Sequence, residues 1–430
     1  MEHLEIITLI TSFIVLLVLG VPVAYSVGLA SLCTILVSID SMPAFTTIAQ
    51  RMATGLDSFS LLAIPFFVLA GQIMNQGGIA QRLIAFAKAL VGSFPGGLAY
   101  VNIIGAMLFG AISGSAMAAV SAIGGTLGPR MEKEGYEKEY SAAVNIVSST
   151  TGLVIPPSNI LIVYSLASGG VSIAALFLAG YLPGTLMGLA LMLVAAIYAK
   201  IKNYPKGEKA SFKNVIVTFV HALPSLFMLF VVIGGIVAGV FTATEASGIA
   251  VLYTLILSLV YKELDFEKLR TIAISSVTTT SIVTLLIACS MSMSWVMAYA
   301  DIPQAVTSAL LSVSDNPIVI LFLINVLLLC VGIFMDMTPA VLIFTPIFLP
   351  VVTSIGINPV HFGIIMVMNL CIGLCTPPVG SVLFVGMGIA DVSLNKVLKP
   401  LIPLFIVMIV VLLLVTYIPQ ISLWLPELFD

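Results

Sequence analysis

Apolar runs fill most of the chain, and the residues that interrupt them divide it into elements. Residues 4 to 38 are too long for one membrane span and are cut at Gly20-Val21-Pro22, which predicts two short helices meeting at a tight turn. A third span is predicted from Leu61 to Met74. Gly77-Gly78 then opens a stretch in which Gln81, Arg82 and Lys88 accompany Ile79, Leu83, Ile84, Phe86 and Leu90, the pattern of an amphipathic helix lying along the interface. Leu98 to Pro129 is apolar but interrupted at Ser113-Gly114-Ser115, and each arm is too short to cross, so a re-entrant hairpin with that tip is expected. Spans from Tyr140 to Leu166 and from Val171 to Ala199 follow, and a basic loop from Lys200 to Lys213 closes the first half.

The span from Tyr140 to Leu166 cannot be one helix. Its centre reads Thr151-Gly152-Leu153-Val154-Ile155-Pro156-Pro157-Ser158-Asn159. Each proline removes a backbone donor and pushes the residue before it out of the α region. Carbonyls are freed at membrane depth, where they are tolerated only if buried in protein or facing a water-filled site. The same break recurs 221 positions later as Ile372-Gly373-Leu374-Cys375-Thr376-Pro377-Pro378-Val379-Gly380. Paired interruptions at corresponding places in two halves are the sequence pointer to a transporter binding site.

The rest of the second half follows the same order. Gly239-Val240 answers Gly20-Val21, Gly248-Ile249-Ala250 answers Gly28-Leu29-Ala30, and residues 214 to 261 again read as two spans with a break. The span at 271 to 292 answers the third, and Ile302 to Ser312 the interfacial helix. Pro317 matches Pro95 and Gly332 matches Gly110, making Pro317 to Val352 a second hairpin with Asp336-Met337-Thr338-Pro339 at its tip. A last intact span runs from Leu401 to Tyr417. The offset drifts only from 219 to 223, as a duplication requires. The expected fold is therefore an all-α polytopic membrane protein of two repeats, residues 1–205 and 210–430, each with five spans and one hairpin. An odd number of crossings inverts the second repeat.

Composition and charge bear on this picture at two points. With 60% hydrophobic and 8% charged residues among 430, the chain is far from the roughly 25% charged residues of soluble domains, and its net charge of −3 gives no nucleic-acid partner. Met1-Glu2-His3 has no basic n-region, so the first apolar run reads as a retained span. Threading the chain with both termini outside places every lysine and arginine inside except Arg51, including Lys206 and Lys209 of the basic loop, as the positive-inside rule demands.

Two tips and two breaks near the midplane converge on one place. Half-helix amino termini after Pro157 and Pro378 offer amides to anions, and unwound carbonyls suit a hard cation such as sodium. Cation ligands are expected from Ser113 with the carbonyls of Gly152, Ile155 and Pro157, and from Gly332, Asp336 or Thr338 with Gly373, Thr376 and Pro378, giving two or more sodium sites. Substrate contacts are expected at Gly114, Ser115, Ser158, Asn159 and Gly380, since no lysine or arginine falls within a span centre. Asp336 is the only carboxylate at a tip, a costly placement that marks function. Ser148, Ser149, Thr150 and Thr151 either bond back within their helix or face substrate. Glu245 has capping-box spacing from Thr242, Cys371 and Cys375 read as packing, and His221 and His361 as interfacial.

The two proline motifs, the Gly114-Ser115-Ala116 tip and the Thr242 to Glu245 segment resemble the large membrane (M) subunit of tripartite ATP-independent periplasmic (TRAP) transporters, over essentially the whole chain. That resemblance implies sodium-coupled, elevator-type uptake of an organic acid such as sialic acid, a C4-dicarboxylate or a sugar acid, in a bacterial inner membrane. It implies a transport domain of residues 98–168 and 317–390, a scaffold of 1–76, 171–292 and 393–430, and interfacial arms at 77–92 and 300–313. It also implies two separate partners, a small four-helix membrane subunit and a periplasmic binding protein. Ala116 follows the tip serine, so sodium would rely mainly on backbone oxygens. A self-sufficient sodium- or proton-coupled carrier of the same architecture is the alternative. An intramembrane hydrolase lacks any His-Asp-Ser or His-Glu-x-x-His constellation, so no enzymatic activity is expected.

Overall fold

The computed structural model describes residues 2–207, 211–314 and 316–429; Met1 and Lys209 lie outside them. Every regular element among the described residues is helical. In the first half α1 (Glu2–Val18) and α2 (Val23–Ile35) meet at Gly20, whose φ of +79° is the left-handed conformation that favours glycine. Next come α3 (Ser41–Leu56), a 3₁₀ turn at Phe59–Leu62, α4 (Ala63–Gln76) and the amphipathic α5 (Ile79–Val91). The first hairpin is α6 (Gly97–Ser113) and α7 (Ala116–Lys133). The broken span is α8 (Lys138–Thr151) and α9 (Asn159–Ala167), and α10 (Ile173–Lys202) is intact.

The order then repeats. α11 (Phe212–Val237) and α12 (Ala243–Val260) are followed by α13 (Phe266–Tyr299) and α14 (Ile302–Val313). The second hairpin is α15 (Pro317–Phe334) and α16 (Met337–Ser354), and the second broken span is α17 (Pro359–Gly373) and α18 (Ser381–Ala390). α19 (Leu394–Tyr417) and α20 (Gln420–Phe429) end the chain. Both predicted breaks fall where the Pro-Pro pairs stand, and both Pro-Pro bonds are cis.

Four features depart from the sequence reading. α3 was not expected, because its polar positions Thr46, Thr47, Gln50, Arg51 and Thr54 dilute the apolar signal; it seats on α13, with Gly55 against Met291 and Arg51 5.1 Å over the Trp295 ring. α13 has 34 residues and runs uninterrupted where the first half splits into α3 and α4. α15 and α16, each of 18 residues, are long and apolar enough to cross, so arm length alone does not mark the second hairpin as re-entrant. The C-terminal α20 was also missed.

Packing sorts the helices into two groups. α1 to α4 and α11 to α13 pack on one another; both hairpins pack with α8, α9, α17 and α18. α10, α19 and α20 pack against the hairpins and broken helices, and α10 also touches α11. At the centre of that group α8 is buried from Tyr140 to Thr151 and α17 from His361 to Gly373, on every face. Contacts between the halves come in exchanged pairs: α7 on α18 and α16 on α9, α10 on α17 and α19 on α8. A two-fold relation between the halves makes each pair one contact seen twice.

Glycines set the closest approaches. A Cβ on Gly110 would lie 2.9 Å from the Gly152 Cα, and one on Gly332 would lie 3.0 Å from the Gly373 Cα. Each hairpin thus touches the glycine that precedes its proline break, backbone to backbone, the small-residue contact that membrane helices use. Gly373→Ala, whose Cβ would meet the Gly332 Cα at 2.5 Å, is expected to destabilise the chain by about 1–3 kcal/mol. Gly125→Ala, with nothing within 4 Å, is expected to leave it unchanged or slightly firmer. Melting temperatures of the two variants in detergent check the contrast.

Candidate functional site

The first break starts from a helix whose hydroxyls turn inward. Ser149, Thr150 and Thr151 donate to the carbonyls of Ile146, Val147 and Ser148 at 2.8, 3.0 and 2.6 Å, so the back-bonding alternative holds for this run. Beyond Thr151 the amides of Leu153 and Val154 still reach back to Thr150 and Thr151, and then the helix stops. Among the described residues no backbone amide donates to the carbonyl of Gly152, Ile155 or Pro157. Those oxygens are the unsatisfied acceptors that the sequence placed there. Ser158, expected to meet substrate, is 1% exposed and donates its hydroxyl to the Leu153 carbonyl, bracing the unwound segment.

The second break is wired differently. The Thr376 amide donates to the Gly373 carbonyl at 2.9 Å, and the Thr376 hydroxyl donates to the Ile372 carbonyl at 2.7 Å. With its proton so engaged, the Thr376 oxygen keeps lone pairs free to accept. No backbone amide among the described residues donates to the carbonyls of Thr376 or Pro378. Gly380 closes over the loop, where a Cβ would lie 2.7 Å from the Leu374 carbonyl oxygen and 2.8 Å from that of Thr376.

Both hairpin tips meet at one cavity of about 200 Å³ between the two helix groups. It brings together Ser113, Gly114, Ser115, Asn159, Asp336 and Thr338 of the expected residues. The remaining ones, Gly152, Ile155, Pro157, Ser158, Gly332, Gly373, Thr376, Pro378 and Gly380, do not line it and belong to the breaks and their glycine contacts. Asn159 lies against the first tip, so that a Cβ on Gly114 would come within 2.5 Å of its amide nitrogen. The other wall carries Gln72 of α4 and Thr279 of α13, which the sequence reading missed. Gln72 had a legible signal, an amide inside the apolar run of the third span; Thr279 is hidden in Thr278-Thr279-Thr280.

The amino termini of four helices contribute to this wall. Ala116 and Met117 open α7, Asn159 and Ile160 open α9, Met337 and Thr338 open α16, and Val382 is in the first turn of α18. Ser115 caps α7 by accepting from the Ala118 amide at 3.2 Å, whereas Asp336, the cap residue of α16, makes no cap hydrogen bond and is exposed to the cavity. Positive dipole ends and first-turn amides therefore gather where, among the described residues, no lysine or arginine lines the wall. A second hollow of about 400 Å³ adjoins it through Ile64 and Val283, beside Asp57 and Ser58.

Three further expectations resolve. Glu245 and Thr242 form a capping box at α12, with the Thr242 amide 2.8 Å from Glu245 Oε2. Cys371 and Cys375 are buried against α8, their thiols 3.4 and 3.5 Å from the Thr150 and Ile146 carbonyls. His361, near the start of α17, is buried beneath α20, and its ring bonds Ser422 Oγ at 2.6 Å and the Thr416 carbonyl at 3.3 Å.

A tip-lined cavity beside two broken helices belongs to secondary transporters in general, and comparison with known proteins narrows it. The family model described as "Tripartite ATP-independent periplasmic transporter, DctM component" matches residues 10–421. The chain belongs to this family. Among similar proteins, YgiK of Salmonella typhimurium is 57% identical to this DctM-family chain over 99% of it and 98% of YgiK. The isethionate TRAP transporter permease protein DctMQ of Oleidesulfovibrio alaskensis is 41% identical over 96% of the chain, which covers 65% of that longer protein. The C4-dicarboxylate large permease DctM of Rhodobacter capsulatus is 37% identical over 96% of this chain and 97% of its own. The crystal structure of the YdaH transporter of Alcanivorax borkumensis shares the fold, with a TM-score of 0.65 over 91% of this chain and 90% of that one at 12% identity.

Ser158 gives this DctM-family site a structural test. Ser158→Ala leaves the Leu153 carbonyl without its hydroxyl partner in a buried segment and is expected to destabilise the chain by about 1–3 kcal/mol. Ser158→Thr, which keeps the donor, is expected to retain most of the melting temperature.

Proposed function

We propose that this chain is the translocating subunit of a sodium-coupled importer of a small organic acid in a bacterial inner membrane. Its partners are a small four-helix membrane subunit and a periplasmic binding protein that delivers the substrate. The observation that carries the reading is the cavity wall: four helix amino termini and no basic side chain around about 200 Å³. Oriented amides recognise carboxylate or sulfonate oxygens without a fixed counter-charge. The relatives named for isethionate and C4-dicarboxylates carry small organic anions of that kind.

Asp336 supplies the coupling argument. Its carboxylate shares the cavity with the anion, and like charges at such range in a poorly screened site repel strongly. A cation bound first at the break carbonyls, Thr376 and the tip removes that repulsion. Sodium then makes the anion site usable, and the anion in turn raises the affinity for sodium, since linkage is reciprocal.

The two packing groups supply the motion. Contacts inside each group mostly have a counterpart in the other half, whereas contacts between the groups do not: α6 lies on α4 and α5, yet α15 has no comparable packing on α13 and α14, where α16 lies instead. We take the hairpins, broken helices, α10, α19 and α20 as the body that moves, α1–α4 and α11–α13 as the frame, and α5 and α14 as the arms. The halves are inverted repeats with both termini in the periplasm. Exchange of the unequal contacts carries the cavity across the membrane in an elevator movement.

In vesicles holding the complete transporter, Thr376→Val and Asp336→Asn are expected to raise the sodium concentration for half-maximal uptake by about tenfold while folded yield stays near wild type. Unchanged sodium activation in both removes the second-half cation site. Independently, a cysteine at the exposed Lys206, in a background lacking the five native cysteines, should resist an impermeant thiol reagent in intact cells and react after permeabilisation. Labelling in intact cells reverses the orientation.

A further inference from the structure

Two buried side-chain pairs occupy matching places in the halves and take no part in the cavity. Between α6 and α8 the Ser148 hydroxyl donates to Asn102 Oδ1 at 2.8 Å. Between α15 and α17 the Asn369 amide donates to Asn325 Oδ1 at 2.8 Å and to the Asn325 carbonyl at 3.0 Å. All four residues are at most 2% exposed. The chemistry of the pairs differs, but their placement is alike, four residues before the break glycine on one helix and eight or seven residues before the hairpin glycine on the other. Ser148 and Asn369 each stand one helical turn before the break glycine, Gly152 or Gly373, and Asn102 and Asn325 stand two turns before the hairpin glycine, Gly110 or Gly332. One stripe on each hairpin therefore runs from a polar pair to a glycine pair and then to the unwound segment.

The glycine pair permits close approach but has no direction, so two smooth backbones can slide past one another. A hydrogen bond in apolar surroundings is directional and fixes that slide. Neither pair is arranged for stability alone: Asn102 Nδ2 and Asn369 Oδ1 are buried without a hydrogen-bond partner, which opposes folding. Register matters here because the break carbonyls belong to α8 and α17, whereas the tips belong to the hairpins. Metal–oxygen distances tolerate only about 0.2 Å, far less than a slide of one residue, about 1.5 Å.

We propose that Asn102 with Ser148, and Asn325 with Asn369, are positioning residues for cation binding at the two helix breaks, holding each hairpin in register with the carbonyls beside it. The proposal rests on the sodium reading above. Binding of ²²Na⁺ to the full chain in nanodiscs tests it without a substrate. Ser148→Ala and Asn369→Leu are each expected to raise the half-saturation concentration at one site by about tenfold, the range seen when groups supporting metal ligands are removed. Ser148→Thr, which keeps the hydroxyl, is expected to restore it. Variants that melt earlier without sodium yet keep wild-type half-saturation overturn the proposal and leave the pairs a packing role. If Asn369→Leu does not fold, Ser148→Ala, which removes one oxygen, decides alone. A wild-type chain that binds no ²²Na⁺ overturns the sodium reading, and this proposal with it.

Discussion

A membrane interior offers no water to a backbone that leaves its helix, and this constraint governs the architecture. The segments around Pro156-Pro157 and Pro377-Pro378 carry carbonyls that no backbone amide satisfies, and the surrounding structure exists to keep them from lipid. α8 and α17 are buried on every face, each with a hairpin laid against the residue where it ends. Gly110 on Gly152 and Gly332 on Gly373 are the consequence, since only a pair without side chains brings a tip close enough to an unwound strand to share its oxygens.

The halves use the same backbone design with different side chains. Ser158 steadies the first break through the Leu153 carbonyl, and Thr376 steadies the second through the Ile372 carbonyl. Asn159 stands at the first tip; the second carries Asp336 and has no such neighbour on the cavity wall. A duplicated frame has thus diverged so that one half presents neutral donors and the other a carboxylate. Neutral donors from one half and a carboxylate from the other thereby share one cavity.

Much of this was legible because proline, glycine and charge act locally. Two adjacent prolines break a helix in any context, so both breaks fell where the motifs stand, and the offset between halves located the hairpins and arms. What escaped has a common cause in tertiary context. α3 is too polar to register as an apolar run and is held by Trp295 and Met291 from a distant helix. α20 is short, and the cover it gives His361 through Ser422 has no local signal. Gln72 and Thr279 belong to the cavity only because α4 and α13 face the tips, which no local pattern encodes. An intact apolar span such as α10 or α19 likewise carries no mark of which neighbours it packs on.

The limits of the internal symmetry are as informative as its presence. Thr150 and Cys371 are 221 positions apart, the spacing of the two breaks, and they touch, so equivalent points of α8 and α17 meet where a two-fold axis between the halves would pass. Away from that axis the exchanged contacts persist through the hairpins and broken helices, and a matching pair, α4 on α12 and α2 on α13, persists in the frame. Symmetry fails where those groups meet, and it weakens inside the enclosed group as well, where α10 packs on α6 but α19 has no comparable packing on α15. The departures on the boundary, where the cavity lies, differ in kind, because the first half lays the first arm of its hairpin on α4 and α5 and the second half lays the second arm of its hairpin on α13 and α14. A single backbone rule, that broken helices must be enclosed, thereby places the fully buried α8 and α17 at the centre of the two halves.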